Sequence, residues 1–155
     1  MHALILAVVL AAASQTAGQA TRDVVMGVCL PFAATGEVSA DNIALAGLRP
    51  RPGGDGDQDL QTVNGHLLVK LTLTGDAVEG TLRRVCEVQA RSGGFDQALD
   101  AVAGPLAQAG FTPVPDEPED WPVWTRDGIT ATVHQNPGRA TIVRVSYSVL
   151  DDEAD

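Results

Sequence analysis

The stretch 66–74, HLLVKLTLT, restricts the fold more than any other part of this chain. Leu67, Val69, Leu71 and Leu73 are interleaved with His66, Lys70, Thr72 and Thr74 in a nearly strict alternation. A period of two gives a β-strand one apolar face and one wet face, so this segment predicts a sheet with one side packed and the other in water. A turn over Gly75 to Gly80 leads to a second strand, Thr81 to Ala90. There Leu82, Cys86, Val88 and Ala90 share the apolar side, while Thr81, Arg83, Glu87 and Gln89 mostly face solvent. Trp121 to Thr125, Ile129 to Gln135 and Ala140 to Val149 read as further strands. Asp127-Gly128 and Asn136-Pro137-Gly138 supply the reversals between them.

Helical periodicity appears in two places. Val24, Val25, Val28, Cys29 and Phe32 recur at helical spacing over 23–34, with Pro31 predicting a bend or an early end. Phe95, Leu99, Val102 and Leu106 form a second stripe that Gly110 can close, with a kink predicted at Gly104-Pro105. A short helical turn over 40–46 has Ser39 or Asp41 as its cap. The run Arg49 to Asp59, RPRPGGDGDQD, reads as a mobile loop, and Thr112 to Asp120 as an extended, proline-rich acidic connector. Short connections favour antiparallel neighbours. The order therefore predicts a two-layer α+β fold: an antiparallel sheet of about five strands, covered on one face by two main helices.

The first twenty residues fall outside that pattern. Leu4 to Ala13 is an apolar run followed by the small and polar stretch Ser14 to Ala20, and it is shorter than the about 20 apolar residues a bilayer crossing needs. It reads as an export signal, with Gly18 and Ala20 at the positions preceding cleavage and a mature start near Thr21; Ala11 and Ala13 offer a second site. The expected organisation is a signal peptide over 1–20, one exported α+β domain over 21–150 and an acidic disordered tail over 151–155. A periplasmic or secreted location follows, or a membrane-anchored one if the signal stays on, with no stable transmembrane segment after cleavage.

Export changes the meaning of the two cysteines. Outside the cytosol a pair of thiols tends to be oxidised, and there is no CxxC and no cysteine–histidine cluster. Cys29 lies on the apolar side of a helix and Cys86 on the apolar face of a strand, so a Cys29–Cys86 disulfide would pin helix to sheet. Closing a loop of about 57 residues is worth roughly 4 kcal/mol on the chain-entropy account.

The formal net charge of −10 argues against nucleic acid and anionic membranes as partners and allows a basic envelope or secreted protein, a cationic ligand or a metal ion. Signatures of catalysis are missing. No GxSxG turn occurs, Gly53-Gly54-Asp55-Gly56 lacks the lysine of a phosphate loop, and Asp55, Asp57 and Asp59 break the EF-hand pattern at Leu60 and His66. His66 and His134 read as surface or edge-strand residues. No catalytic, cofactor-binding or metal-binding residue is assigned, and no cofactor is expected.

Trp121 and Trp124 are three apart, so a regular strand cannot send both to one side. One of them, with Phe111 and the acidic residues Glu117, Glu119 and Asp120, forms the candidate interface. The sequence therefore reads as an exported, non-enzymatic binding or accessory protein, of which a periplasmic inhibitor or immunity-like protein is one form. The alternative is a small periplasmic hydrolase with an unconventional site, in which His134 would converge with Asp127 and Ser146.

Overall fold

A computed structural model describes residues 16–149 apart from 57, 137 and 139. The expected acidic tail and most of the expected signal lie outside the described residues. Helix α1 (Ala17–Val24) runs into a π-helical segment, Val25–Cys29, which continues directly into α2 (Leu30–Thr35). A short helix α3 (Ala40–Leu45) follows, and the long α4 (Phe95–Gln108) comes after the first strands. The strands are β1 (Leu48–Pro50), β2 (Asp59–Thr62), β3 (Leu67–Thr74), β4 (Arg83–Ala90), β5 (Thr112–Pro113), β6 (Val123–Arg126), β7 (Ile129–Gln135) and β8 (Thr141–Ser148). No helix among the described residues is long and apolar enough to cross a membrane.

The α+β class holds, but the sheet is larger than expected. It has 8 strands in the order β1-β2-β3-β4-β8-β7-β6-β5, with every neighbouring pair antiparallel, instead of about five. The additional strands are β1, β2 and β5, of 3, 4 and 2 residues. Runs this short do not establish an alternation, and two of them contain proline. Pro50 and Pro113 lie in β1 and β5, the outermost strands on the two sides of the sheet. A residue without an amide hydrogen is tolerated at an edge, and there it also blocks pairing with another chain. The prolines that made these segments read as loops are thus what closes both edges.

The strands from the alternating segments pair as their patterns require. Leu71, Cys86, Val145, Ala131 and Trp124 form one continuous cross-strand row on the covered face. All five are buried, beneath α1, the π-helical segment, α2 and α4. Gly75 opens the turn between β3 and β4 at φ +78, where a Cβ would overlap the Thr81 carbonyl.

Pro31 neither ends nor breaks the first helix, which continues to Thr35. The proline has no amide to offer the carbonyl four residues back, and the wider π turn just ahead of it accommodates that loss. The Leu30 amide donates to the Val25 carbonyl, five residues earlier. Val25, Val28 and Cys29 of this segment are fully buried. Cys29 is disulfide-bonded to Cys86 on β4, with Cα atoms 5.1 Å apart. Arg84, two residues before Cys86, donates from Nη1 to the Ala33 and Ala34 carbonyls at 3.0 and 2.8 Å, satisfying acceptors at the C-terminal end of α2. The helix is therefore held to β4 both covalently and by hydrogen bonds.

The expected mature start at Thr21 falls inside α1, whose N-cap is Thr16. Ser39 caps α3, accepting from the Asn42 amide at 3.1 Å. α4 runs through Pro105 to Gln108.

Two stability effects follow. Replacing both cysteines by alanine lowers the unfolding free energy by roughly 2–4 kcal/mol, measured by denaturant titration against the oxidised protein. Gly75→Ala, which is both strained at its φ and blocked by Thr81, costs about 1–3 kcal/mol in the same titration, whereas the solvent-facing Val78→Ala stays within about 0.5 kcal/mol.

Candidate functional site

Because Ile129, Ala131 and Val133 of β7 turn toward the helices, Thr130, Thr132 and His134 are left on the uncovered face. His134 is nevertheless only 5% exposed. Its ring is covered by Trp121, which lies flat against it with centroids 3.9 Å apart and planes 3° from parallel. The connector after β5 makes this contact. It leaves the sheet at Val114, whose amide donates to the Val123 carbonyl, and turns so that the Trp121 amide donates to the Pro118 carbonyl at 2.9 Å. Trp121 is thereby laid over the open face just before β6 begins.

Trp124 goes the other way. It pairs with Ala131 on the covered face and is 6% exposed, against 43% for Trp121. Phe111 is 3% exposed, with the Arg126 guanidinium 4.8 Å above its ring. Of the aromatic residues in the candidate interface, only Trp121 is accessible. Glu117, Glu119 and Asp120 are exposed, as is the neighbouring Asp116. Among the described residues no ion pair involves any of these four carboxylates.

The strand region of the open face is different, because its charges are arranged to cancel. Asp59, Lys70, Glu87, Arg144 and Thr132 lie in one cross-strand row, so the signs alternate from β2 to β8. Opposite charges placed directly across a ladder attract one another. Arg144 Nη2 donates to Glu87 Oε2 at 2.7 Å. Burial works to raise the Glu87 carboxyl, but hydrogen bonds from Arg144 and Gln89, together with the Arg144 and His134 charges, outweigh it and hold the group below its ordinary 4.5. In the adjacent row His134 lies beside Ile142, with Gln89 on the far side of Ile142. Burial, reinforced by the Arg144 charge and only partly opposed by Glu87, holds the imidazole below its ordinary 6.5. Its Nδ1 is buried without a hydrogen-bond partner. The buried ring serves as a floor for the indole.

The groups of the hydrolase alternative are not brought together. Asp127 sits in the turn between β6 and β7, at φ 49, beside Arg126. His134 is near the far end of β7, so the two are separated by most of a strand, about 20 Å at the usual rise. Ser146 pairs with Thr130, four residues from His134. A different serine–histidine contact does occur: His66 Nδ1 and Ser92 Oγ are 2.8 Å apart in an open depression of 730 Å³ that Thr16, Asn64 and Gln97 also line. A nucleophile–base pair needs a third group to orient the base. Among the described residues no carboxylate is bonded to His66 or Ser92. Asp59 of the acidic loop accepts from the Asp55 amide at 3.0 Å, and no His/Cys/Asp/Glu cluster among the described residues could hold a metal ion. Asp57 lies outside the described residues.

Both lowered ionisations have the same effect on stability. The unfolded chain takes up a proton at His134 near pH 6.5, where the folded chain resists it, so stability falls as pH drops below that value. Glu87 adds a further loss below its ordinary 4.5. His134→Phe keeps an aromatic floor under Trp121 and removes the first titration. Its unfolding midpoint should change less than that of the parent between about pH 7 and pH 5. Parallel midpoint curves for the two proteins would contradict this assignment.

Comparison of the chain with protein-family models, with curated proteins and with solved structures returned no match.

Proposed function

We propose that this chain is an exported, non-enzymatic binding protein that engages a basic envelope or secreted protein, in the manner of an inhibitor or immunity-like protein. The contact surface is Trp121 with its rim of Asp116, Glu117, Glu119 and Asp120. One observation carries the reading: an accessible tryptophan rests on a buried histidine, beside acidic groups that form no ion pair among the described residues.

The physical case has three parts. A stacked indole presents a large contact area whose rotamer is already restricted, so little conformational entropy remains to be lost on docking. Unpaired carboxylates around it attract a cationic surface from a distance, which raises the association rate. Elsewhere on the open face Asp59, Lys70, Glu87 and Arg144 alternate in sign along one row, and Glu87 is ion-paired with Arg144. Export is supported by the N-terminal apolar run and by the disulfide, which suits an oxidising compartment.

The test is quantitative binding to a panel of basic and acidic envelope and secreted proteins. A basic member should bind at one-to-one stoichiometry, and Trp121→Ala should weaken it by about thirtyfold, the effect of losing a contact of about 2 kcal/mol. Replacing Glu117, Glu119 and Asp120 together by their amides should slow association and flatten its salt dependence while leaving dissociation nearly unchanged. No stoichiometric binding across the panel, or binding indifferent to Trp121→Ala, would overturn the reading.

A further inference from the structure

The small residues that resemble a cleavage site at Gly18 and Ala20 have another role in the fold. They belong to α1, which starts from a complete capping box: Thr16 Oγ1 accepts from the Gln19 amide at 3.2 Å, and Gln19 Oε1 accepts from the Thr16 amide at 3.1 Å. Such a box satisfies two of the amides that a helix start otherwise leaves open. Gly18 lies where α1 meets α4, and a Cβ there would stand 3.6 Å from Gln97 Cγ and 3.8 Å from Ala101 Cβ. Ala20 packs against the core. Thr21 is 2% exposed, and its hydroxyl donates to the Ala17 carbonyl at 3.0 Å.

Cleavage after Ala20 would remove the capping box and the first turn of α1, and with them the partner of the Thr21 hydroxyl. It would also place a new ammonium group on a residue that the fold buries, at the positive end of the helix dipole. Cleavage after Ala13 has none of these consequences. Ala11 and Ala13 provide the same small-x-small pattern, and Ser14 and Gln15 would remain as a short lead into the cap at Thr16.

We infer that export processing removes residues 1–13 and that the mature chain begins at Ser14, so that the whole of α1 belongs to the working protein. This rests on the export reading given above, and the experiment separates the two. The full-length chain with its own N-terminus is produced in a bacterium with a general secretory pathway, and its periplasmic and membrane fractions are examined by intact mass and N-terminal sequencing. A periplasmic species beginning at Ser14 is the expected result. A species beginning at Thr21 would overturn the inference while leaving export intact. Retention of Met1 in every fraction would overturn both. As a second arm, Ala13→Leu, which replaces the small residue before the proposed bond, should abolish the Ser14 species and accumulate precursor. Processing of Ala13→Leu that matches the parent in site and extent would also overturn the inference.

Discussion

The fold depends on the attachment of its first helix to the middle of the sheet. Cys29 and Cys86 form that attachment, joining the π-helical segment to β4 at a point where Leu71 and Val145 flank Cys86 in the buried row. The local backbone serves this contact. Pro31 cannot complete a regular α-helical ladder, and the wide turn ahead of it contributes Val25, Val28 and Cys29 to the buried surface. Arg84 then holds the carbonyl end of α2 from the same strand. With one face occupied in this way, the opposite face is left uncovered, with Glu87 and Arg144 paired on it.

That opposite face is organised by two distinct means. Across β2, β3, β4 and β8 the residues Asp59, Lys70, Glu87 and Arg144 alternate in sign, and Glu87 and Arg144 form an ion pair. Proline-bearing strands at both edges limit pairing with other chains. These features make an uncovered sheet compatible with a protein that stays unaggregated. At the β6 side the connector brings Trp121 over His134, and among the described residues its own carboxylates form no ion pair. An accessible aromatic ring on a buried floor, beside a run of exposed carboxylates, is the physical basis for the recognition proposed there.

Legibility in the sequence followed the strength of the periodic signal. β3, β4, β7 and β8 were readable because burial of one face imposes a period of two, and the helical stripe ending at Leu106 was readable by the same logic at a longer period. β1, β2 and β5 were not, since strands of 3, 4 and 2 residues are shorter than the patterns that identify strands. The three-residue spacing of Trp121 and Trp124 was enough to require opposite faces. Which of them would be accessible depended on the path of the connector, and so did the burial of His134, which reads from sequence as a surface residue. Gly18 and Ala20 suit a protease pocket by size, and nothing in the sequence shows that both lie in α1, with Gly18 facing α4 and Ala20 packed against the core.

The central claim is that Trp121 and the acidic connector form one recognition surface for cationic partners. The most direct measurement is Trp121 fluorescence in the Trp124→Phe protein, titrated with an oligolysine peptide as a cationic probe at low and at high salt. The account predicts a saturable change in emission that salt reverses, and that is lost when Glu117, Glu119 and Asp120 are replaced by their amides. Emission that does not respond to the peptide, or that responds equally with the neutralised connector, would contradict it.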